Sequence, residues 1–217
     1  MLDVAVLISG RGSNLQALID ACAEEGFPAR IVAVIANNPG AGGLDKAKVA
    51  NIPTSVVNHR DFEDREAFEN ALDAELKKYK AKFICLAGFM RLLDARFVNR
   101  WKDRILNIHP SLLPSFKGLH TQERALESGV RFTGCTVHIV RPEMDDGPII
   151  LQAALAVDPE DDADSLSNKV LELEHLIYPE SLKLIALGRV RISGNRAIIE
   201  EADYPKKGLI SPDLIPK

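Results

Sequence analysis

Val4-Ala5-Val6-Leu7-Ile8-Ser9-Gly10-Arg11-Gly12-Ser13-Asn14-Leu15-Gln16 sets the frame for the whole chain. An apolar, β-branched run enters a turn built on two glycines and leaves it with a helical pattern, the opening of a β-α unit. Ser13 with Gln16 three residues later predicts a capping box at the start of the helix. Free backbone N–H groups and the helix dipole at such a turn attract an anion. Leu15 stands where the dinucleotide fingerprint has its third glycine, and the second strand ends Ala36-Asn37-Asn38 instead of in an acid for a ribose hydroxyl. The turn also lacks the Gly-Lys-Ser/Thr ending of a P-loop. A single terminal phosphate on a small metabolite suits it better than NAD or ATP.

Outward from this unit the alternation repeats. Extended runs at 31–36, 54–57, 83–87 and 105–108 are separated by helical patterns at 14–23, 44–50, 65–78 and 95–101. Repeated β-α with right-handed crossovers predicts an α/β fold with a doubly wound, mostly parallel sheet covered by helices on both faces. After residue 130 the rhythm changes. The runs 132–140 and 149–157 have no helix between them and read as an antiparallel pair. A long helix from about Asp164, interrupted at Pro179, and short strands near 190–192 and 197–199 complete an antiparallel C-terminal extension. One domain over 1–217 is expected, with a phosphate-binding half (1–110) and a second half (111–217) carrying the loop, antiparallel strands and long helix.

Composition narrows the partners. A net charge of −4 without a basic tract argues against nucleic acid and against a membrane surface. The apolar start at Val4 has no basic region before it, and no apolar run reaches membrane-spanning length, so a cytoplasmic protein is expected. Cys22, Cys85 and Cys135 are widely spaced in apolar contexts, the pattern of reduced core thiols, and Cys85 within FICLA is a poor candidate nucleophile.

Arg104-Ile105-Leu106-Asn107-Ile108-His109-Pro110 carries the chemistry. Strand periodicity puts Ile105, Asn107 and His109 on one face, at the carboxyl end of a parallel strand where ligands of open α/β sheets collect. An amide beside an imidazole can polarise a carbonyl and stabilise the oxyanion formed on attack. Either Asp145 or Asp146, in the turn between the antiparallel strands, could be the orienting carboxylate, although acids in such turns are commonly solvated turn formers. Glu174 falls on the apolar stripe of the long helix, where an unpaired charge is costly unless it reaches water at the edge.

Four segments, Ile8 to Asn14, Leu86 to Arg91, Asn107 to Pro114 and Asp145 to Pro148, together resemble the phosphoribosylglycinamide formyltransferase family in order and spacing over essentially the whole chain. The Asn-x-His-Pro-Ser-Leu-Leu-Pro segment is shared by enzymes that use 10-formyltetrahydrofolate, and the Ser-Gly-x-Gly-Ser-Asn turn is the part particular to glycinamide ribonucleotide. The resemblance implies a Rossmann-like formyltransferase fold with 10-formyltetrahydrofolate as co-substrate and no metal. It implies glycinamide ribonucleotide as acceptor in de novo purine biosynthesis, in a monomer or homodimer. Asn107, His109 and Asp145 would be catalytic. Gly12, Ser13, Asn14 and Glu174 would hold the acceptor. Arg65, Met90, Arg91, Leu92, Leu93, Asn107, Arg141, Pro142, Glu143, Met144 and Asp145 would hold the folate. His120 and Thr121 match a loop near the active site, but Gln122 replaces a second histidine there, and Leu171 stands at a position polar in some relatives. The alternative within the same chemistry is formyltetrahydrofolate deformylase, in which water replaces the amine and a phosphate turn has no use.

Overall fold

The computed structural model describes residues 1–206 and 208–212. Its first part alternates as expected: β1 (Leu2–Ile8), α1 (Ser13–Ala23), β2 (Ala29–Ala36), α2 (Gly43–Val49), β3 (Thr54–Val56), α3 (Arg65–Lys78), β4 (Phe83–Leu86), α4 (Ala95–Arg100) and β5 (Ile105–His109). Then come α5 (Thr121–Glu127), β6 (Phe132–Ile139), β7 (Ile149–Ala156), α6 (Ala163–Ala186), β8 (Val190–Ser193) and β9 (Arg196–Ile199). A 3₁₀ turn at His59–Asp61 and helix α5 follow no pattern read from the sequence. Both are short, and so carry too few apolar repeats to announce themselves.

The main sheet runs β3-β2-β1-β4-β5-β6-β7, and β8 and β9 form a separate pair. β1 lies between β2 and β4 and is parallel to both, β5 is parallel to β4, and β6 and β7 are antiparallel. The chain winds from β1 outward to β3, then returns to β4 and winds the other way. The carboxyl ends of β1 and β4 therefore diverge at a switch point, where such sheets bind ligands. Alternating residues serve the two faces. Val4, Val6, Ile8, Cys85, Leu106 and Ile108 join α1 and α6 in one core, and Ala5, Leu7, Ile84, Leu86 and Ile105 meet α3 and α4 in the other.

Two local expectations are corrected. No capping box forms at α1: the cap is Gly12 with φ 73°, no side chain caps the helix, and Gln16 Nε2 donates instead to Asp20 Oδ1 at 2.8 Å. Gly12 is also pressed against α2, where a Cβ would stand 2.8 Å from the Gly43 Cα, so both backbone angle and space require glycine. The long helix is not interrupted, for α6 continues through Pro179. Its neighbours are anchored: Tyr178 is fully buried with its hydroxyl donating to Leu86 O at 2.8 Å, and Ser181 Oγ donates to Ile177 O at 2.7 Å. Packing along the helix outweighs the one backbone bond that proline removes. A true capping box opens α6 instead, Asp162 Oδ1 accepting from Ser165 N at 2.7 Å and Ser165 Oγ from Asp162 N at 3.0 Å.

Candidate active site

β5 presents Asn107 and His109 on its upper face, and β6 runs antiparallel to it with Asn107 opposite His138 and His109 opposite Thr136. Asn107 Nδ2 lies 3.2 Å from His138 Nε2. The other nitrogen of His138, Nδ1, donates to Ile139 O at 3.1 Å, which leaves Nε2 as acceptor and fixes which end of the Asn107 amide faces it. Burial holds the His138 pKa below that of an ordinary imidazole, so this ring is neutral at physiological pH. One Asn107 amide hydrogen and its carbonyl oxygen remain for a ligand.

His109, 5% exposed, donates from Nε2 to Phe116 O at 3.0 Å. That bond turns Nδ1 toward Asp145 Oδ2, 3.5 Å away, close for Coulomb attraction and long for a hydrogen bond. Asp145 Oδ1 lies 3.8 Å from His138 Nε2. Asp145 itself has φ 51°, a left-handed conformation that aspartate tolerates, and its Oδ2 accepts from the Gly118 N–H at 2.9 Å. The residue between, Lys117, forms an ion pair with Asp146. Three consecutive residues thus hold the imidazole by a carbonyl, the carboxylate by an N–H and the loop by an ammonium. The structure also divides the two acids: Asp145 faces the imidazole, and Asp146 is spent on Lys117.

A cleft of about 120 Å³ opens beside this group, lined by Asn107, His138 and Asp145 together with Arg91, Leu92, Leu93, Arg141, Pro142, Glu143 and Met144. Leu86, Phe89 and Val140 complete its apolar walls. Arg141 Nη2 bonds Asp103 Oδ1 at 2.5 Å, fixing the start of the 141–148 loop. Apolar walls closing on an amide, an imidazole and a carboxylate suit a flat heteroaromatic ring with a polar edge.

At the switch point, Ser9 to Asn14 with Ala87, Gly88 and Met90 enclose a second cavity of about 270 Å³. α1 has neither a side-chain cap nor an acid in its first turn, so its first N–H groups are free for a ligand. Ser9 Oγ accepts from Met90 N at 2.8 Å and ties this turn to the loop after β4. Asn14, one of the lining residues, donates from Nδ2 to Glu174 Oε2 at 2.6 Å in a buried bond, while its Oδ1 is buried without a partner. Glu174 is 6% exposed, so it does not reach water at the stripe edge. Burial raises its pKa, against the opposing hydrogen bond from Asn14.

The expected residues therefore gather in two neighbouring places. Gly12, Ser13 and Asn14 line the switch-point cavity with Met90, and Arg91 to Leu93 and Arg141 to Asp145 line the cleft. Arg65 is exposed at the start of α3 and lines neither. His120 is exposed beside Glu123, and Gln122 is buried with Nε2 donating to Pro110 O at 3.2 Å, supporting the turn after His109. Leu171 is half-buried. A larger cavity, about 530 Å³, lies behind the Asp145 loop against Arg196 to Ile198 and Tyr204, and of Asn107, His109 and Asp145 it touches only Asp145. Burial pushes the Cys22 and Cys135 thiols up to about 12 and raises that of Cys85, which leaves no reactive thiolate among them. Sequence reading missed His138 and the 116–118 clamp. His138 had a signal, a polar residue inside an apolar strand run, whereas backbone groups have none.

A sequence model of the formyl transferase family matches residues 2–182. The phosphoribosylglycinamide formyltransferase of Escherichia coli (strain K12) is 42% identical over 207 residues, 95% of this chain and 98% of that protein. The trifunctional purine biosynthetic protein adenosine-3 of Homo sapiens is 51% identical over 195 residues, 90% of this chain and 19% of the relative, so the chain spans about a fifth of such trifunctional relatives. Among solved structures, glycinamide ribonucleotide transformylase 1 from Symbiobacterium toebii superimposes with a TM-score of 0.90 at 45% identity, covering 92% of this chain and 94% of that one.

Proposed function

This chain belongs to the formyl transferase family, and from that premise we propose that it transfers the formyl group of 10-formyltetrahydrofolate to the amine of glycinamide ribonucleotide in de novo purine biosynthesis. The products are formylglycinamide ribonucleotide and tetrahydrofolate. The observation that carries the reading is the adjacency of two unlike cavities, whose linings interleave along residues 86–93: one holds Asn107 and Asp145 between apolar walls suited to a flat ring, and the other is lined with free N–H groups.

Formyl transfer builds negative charge on the formyl oxygen and moves a proton from the attacking amine to the departing folate nitrogen. Asn107, turned by His138, offers its free N–H to that oxygen. His109 is anchored at Nε2, so when protonated it offers Nδ1–H as a second donor, and Asp145 balances the imidazolium charge. Asp145 also accepts the proton that the amine gives up and passes it on through water. At the switch point the Gly12 to Asn14 N–H groups meet the phosphate. Asn14 Oδ1, buried without a partner, and Glu174, bonded to the same side chain, are the acceptors that would take the amine end. The site is thus ordered from donors to acceptors, as a phosphorylated amine is from anion to N–H.

Spectrophotometric turnover of 10-formyl-5,8-dideazafolate with and without glycinamide ribonucleotide tests this. Turnover that depends on the amine is expected. Formate release at the same rate without it overturns the transferase reading in favour of a hydrolase.

A further inference from the structure

Arg11 lies within the switch-point turn and is the one charged side chain among the residues lining its cavity. It is exposed and makes no ion pair among the described residues. We propose that Arg11 is a specificity-determining residue, the cation that closes over the phosphate of the acceptor and makes the site prefer a phosphate monoester to an uncharged or singly charged group. The inference rests on the acceptor reading given above.

Charge balance is the reason. A phosphate monoester carries about −1.5 to −2 at neutral pH. The amino end of a helix supplies the equivalent of about +0.5. α1 brings its N–H groups uncapped, and every other residue lining the cavity is neutral, so about one unit of negative charge lacks compensation without Arg11. The cavity is also built for a directed ligand. Asn14, 8% exposed, is among its lining residues; its Oδ1 is buried without a partner, and its Nδ2 is locked to Glu174 on α6. Those acceptors repel an anion from their own end and direct it toward the Gly10 to Ser13 side. A guanidinium there meets phosphate oxygens in a bidentate fork and, being exposed, can swing onto a bound ligand without repacking the core.

Initial-rate kinetics on the full chain, comparing wild type with Arg11→Ala and Arg11→Lys, decide the matter. Arg11→Ala is expected to raise KM for glycinamide ribonucleotide about ten-fold or more, with Arg11→Lys recovering part of the loss, as for removal of one charge-assisted bond. KM for the folate donor should stay within about two-fold, and added NaCl should raise the acceptor KM of wild type more steeply than that of Arg11→Ala. An acceptor KM in Arg11→Ala within about two-fold of wild type overturns the proposal. Failure of the acceptor reading shows separately, as absence of amine-dependent turnover in wild type. Calorimetric titration with inorganic phosphate then still tests Arg11: weaker binding in Arg11→Ala supports it, and equal binding overturns it.

Discussion

The carboxyl ends of β5 and β1 lie on the same rim of one sheet and solve different problems. At β5 the working groups are titratable side chains, His109 and Asp145, held 3.5 Å apart by the backbone of a short loop. At β1 they are backbone N–H groups and a neutral amide, held by a glycine pressed on α2 and by a buried bond to α6. Chemistry that moves protons needs groups whose charge can change and a mount that can adjust. Recognition of a fixed anion needs dipoles that cannot. On the proposed function the rim thus divides into a reacting half and a gripping half.

Replacing His109 or Asp145 by Ala should produce the largest effect. A loss of about 100-fold or more in kcat, with a smaller change in KM, is expected from steady-state kinetics for groups that act in the transition state. Near-normal turnover in either variant would erase the distinction between the halves.

In the gripping half, Glu174→Gln should instead raise KM for the amine by about ten-fold, the cost of one charged hydrogen bond. The same variant should gain stability at neutral pH. Burial raises the Glu174 pKa in the folded state, so its favourable contribution is present below the ordinary carboxylate value and is lost as pH rises through the raised one. Thermal melts of both proteins from acid to neutral pH should show Glu174→Gln drawing ahead as pH rises. A gap that is constant with pH contradicts the burial argument.

Lys117→Met tests the mount. The Lys117 to Asp146 pair is partly exposed, so its loss should lower kcat only about two- to five-fold, through a looser 116–118 clamp. A loss as large as that of His109→Ala would mean that the ammonium itself takes part.

Asp73, outside both halves, should affect turnover least. Its side chain is 4% exposed and meets Lys77 at 2.7 Å, Arg100 at 2.8 Å and Trp101 Nε1 at 2.9 Å. Burial alone would raise its pKa, but Lys77, Trp101 and Arg100 outweigh that and hold it below the ordinary value. Its contribution is therefore present above the ordinary carboxylate pKa and lost as pH falls through the depressed one. Asp73→Ala should cost about 1–3 kcal/mol of stability by urea denaturation at neutral pH, less in acid, with kcat unchanged. A change in kcat would show that the α3 side of the sheet couples to the rim.

Much of this was legible residue by residue. The alternation of runs predicted the sheet, and the run Phe132 to Val140 followed by Ile149 to Val157 predicted the antiparallel pair, because apolar periodicity reports on burial directly. Ser13 and Gln16 fit a capping pattern and yet did not cap, since Gly12 took the cap through its own backbone and its packing on Gly43. Pro179 read as a break and did not act as one, since Tyr178 and Leu182 are buried on either side of it. Local rules yielded where tertiary contacts were worth more.

By itself the sequence determined the winding of the sheet, the strand end that carries Asn107 and His109, and a glycine turn opening the first helix, because each depends on periodicity and on the identity of neighbouring residues. Only the tertiary structure decided which of Asp145 and Asp146 faces the imidazole, that Glu174 is held by Asn14 from 160 positions away, and that Phe116 and Gly118 clamp the reacting pair. The reason is physical. A side chain's type is local, but its partner is set by which elements pack together, and backbone donors and acceptors look the same in every residue until the fold has aimed them.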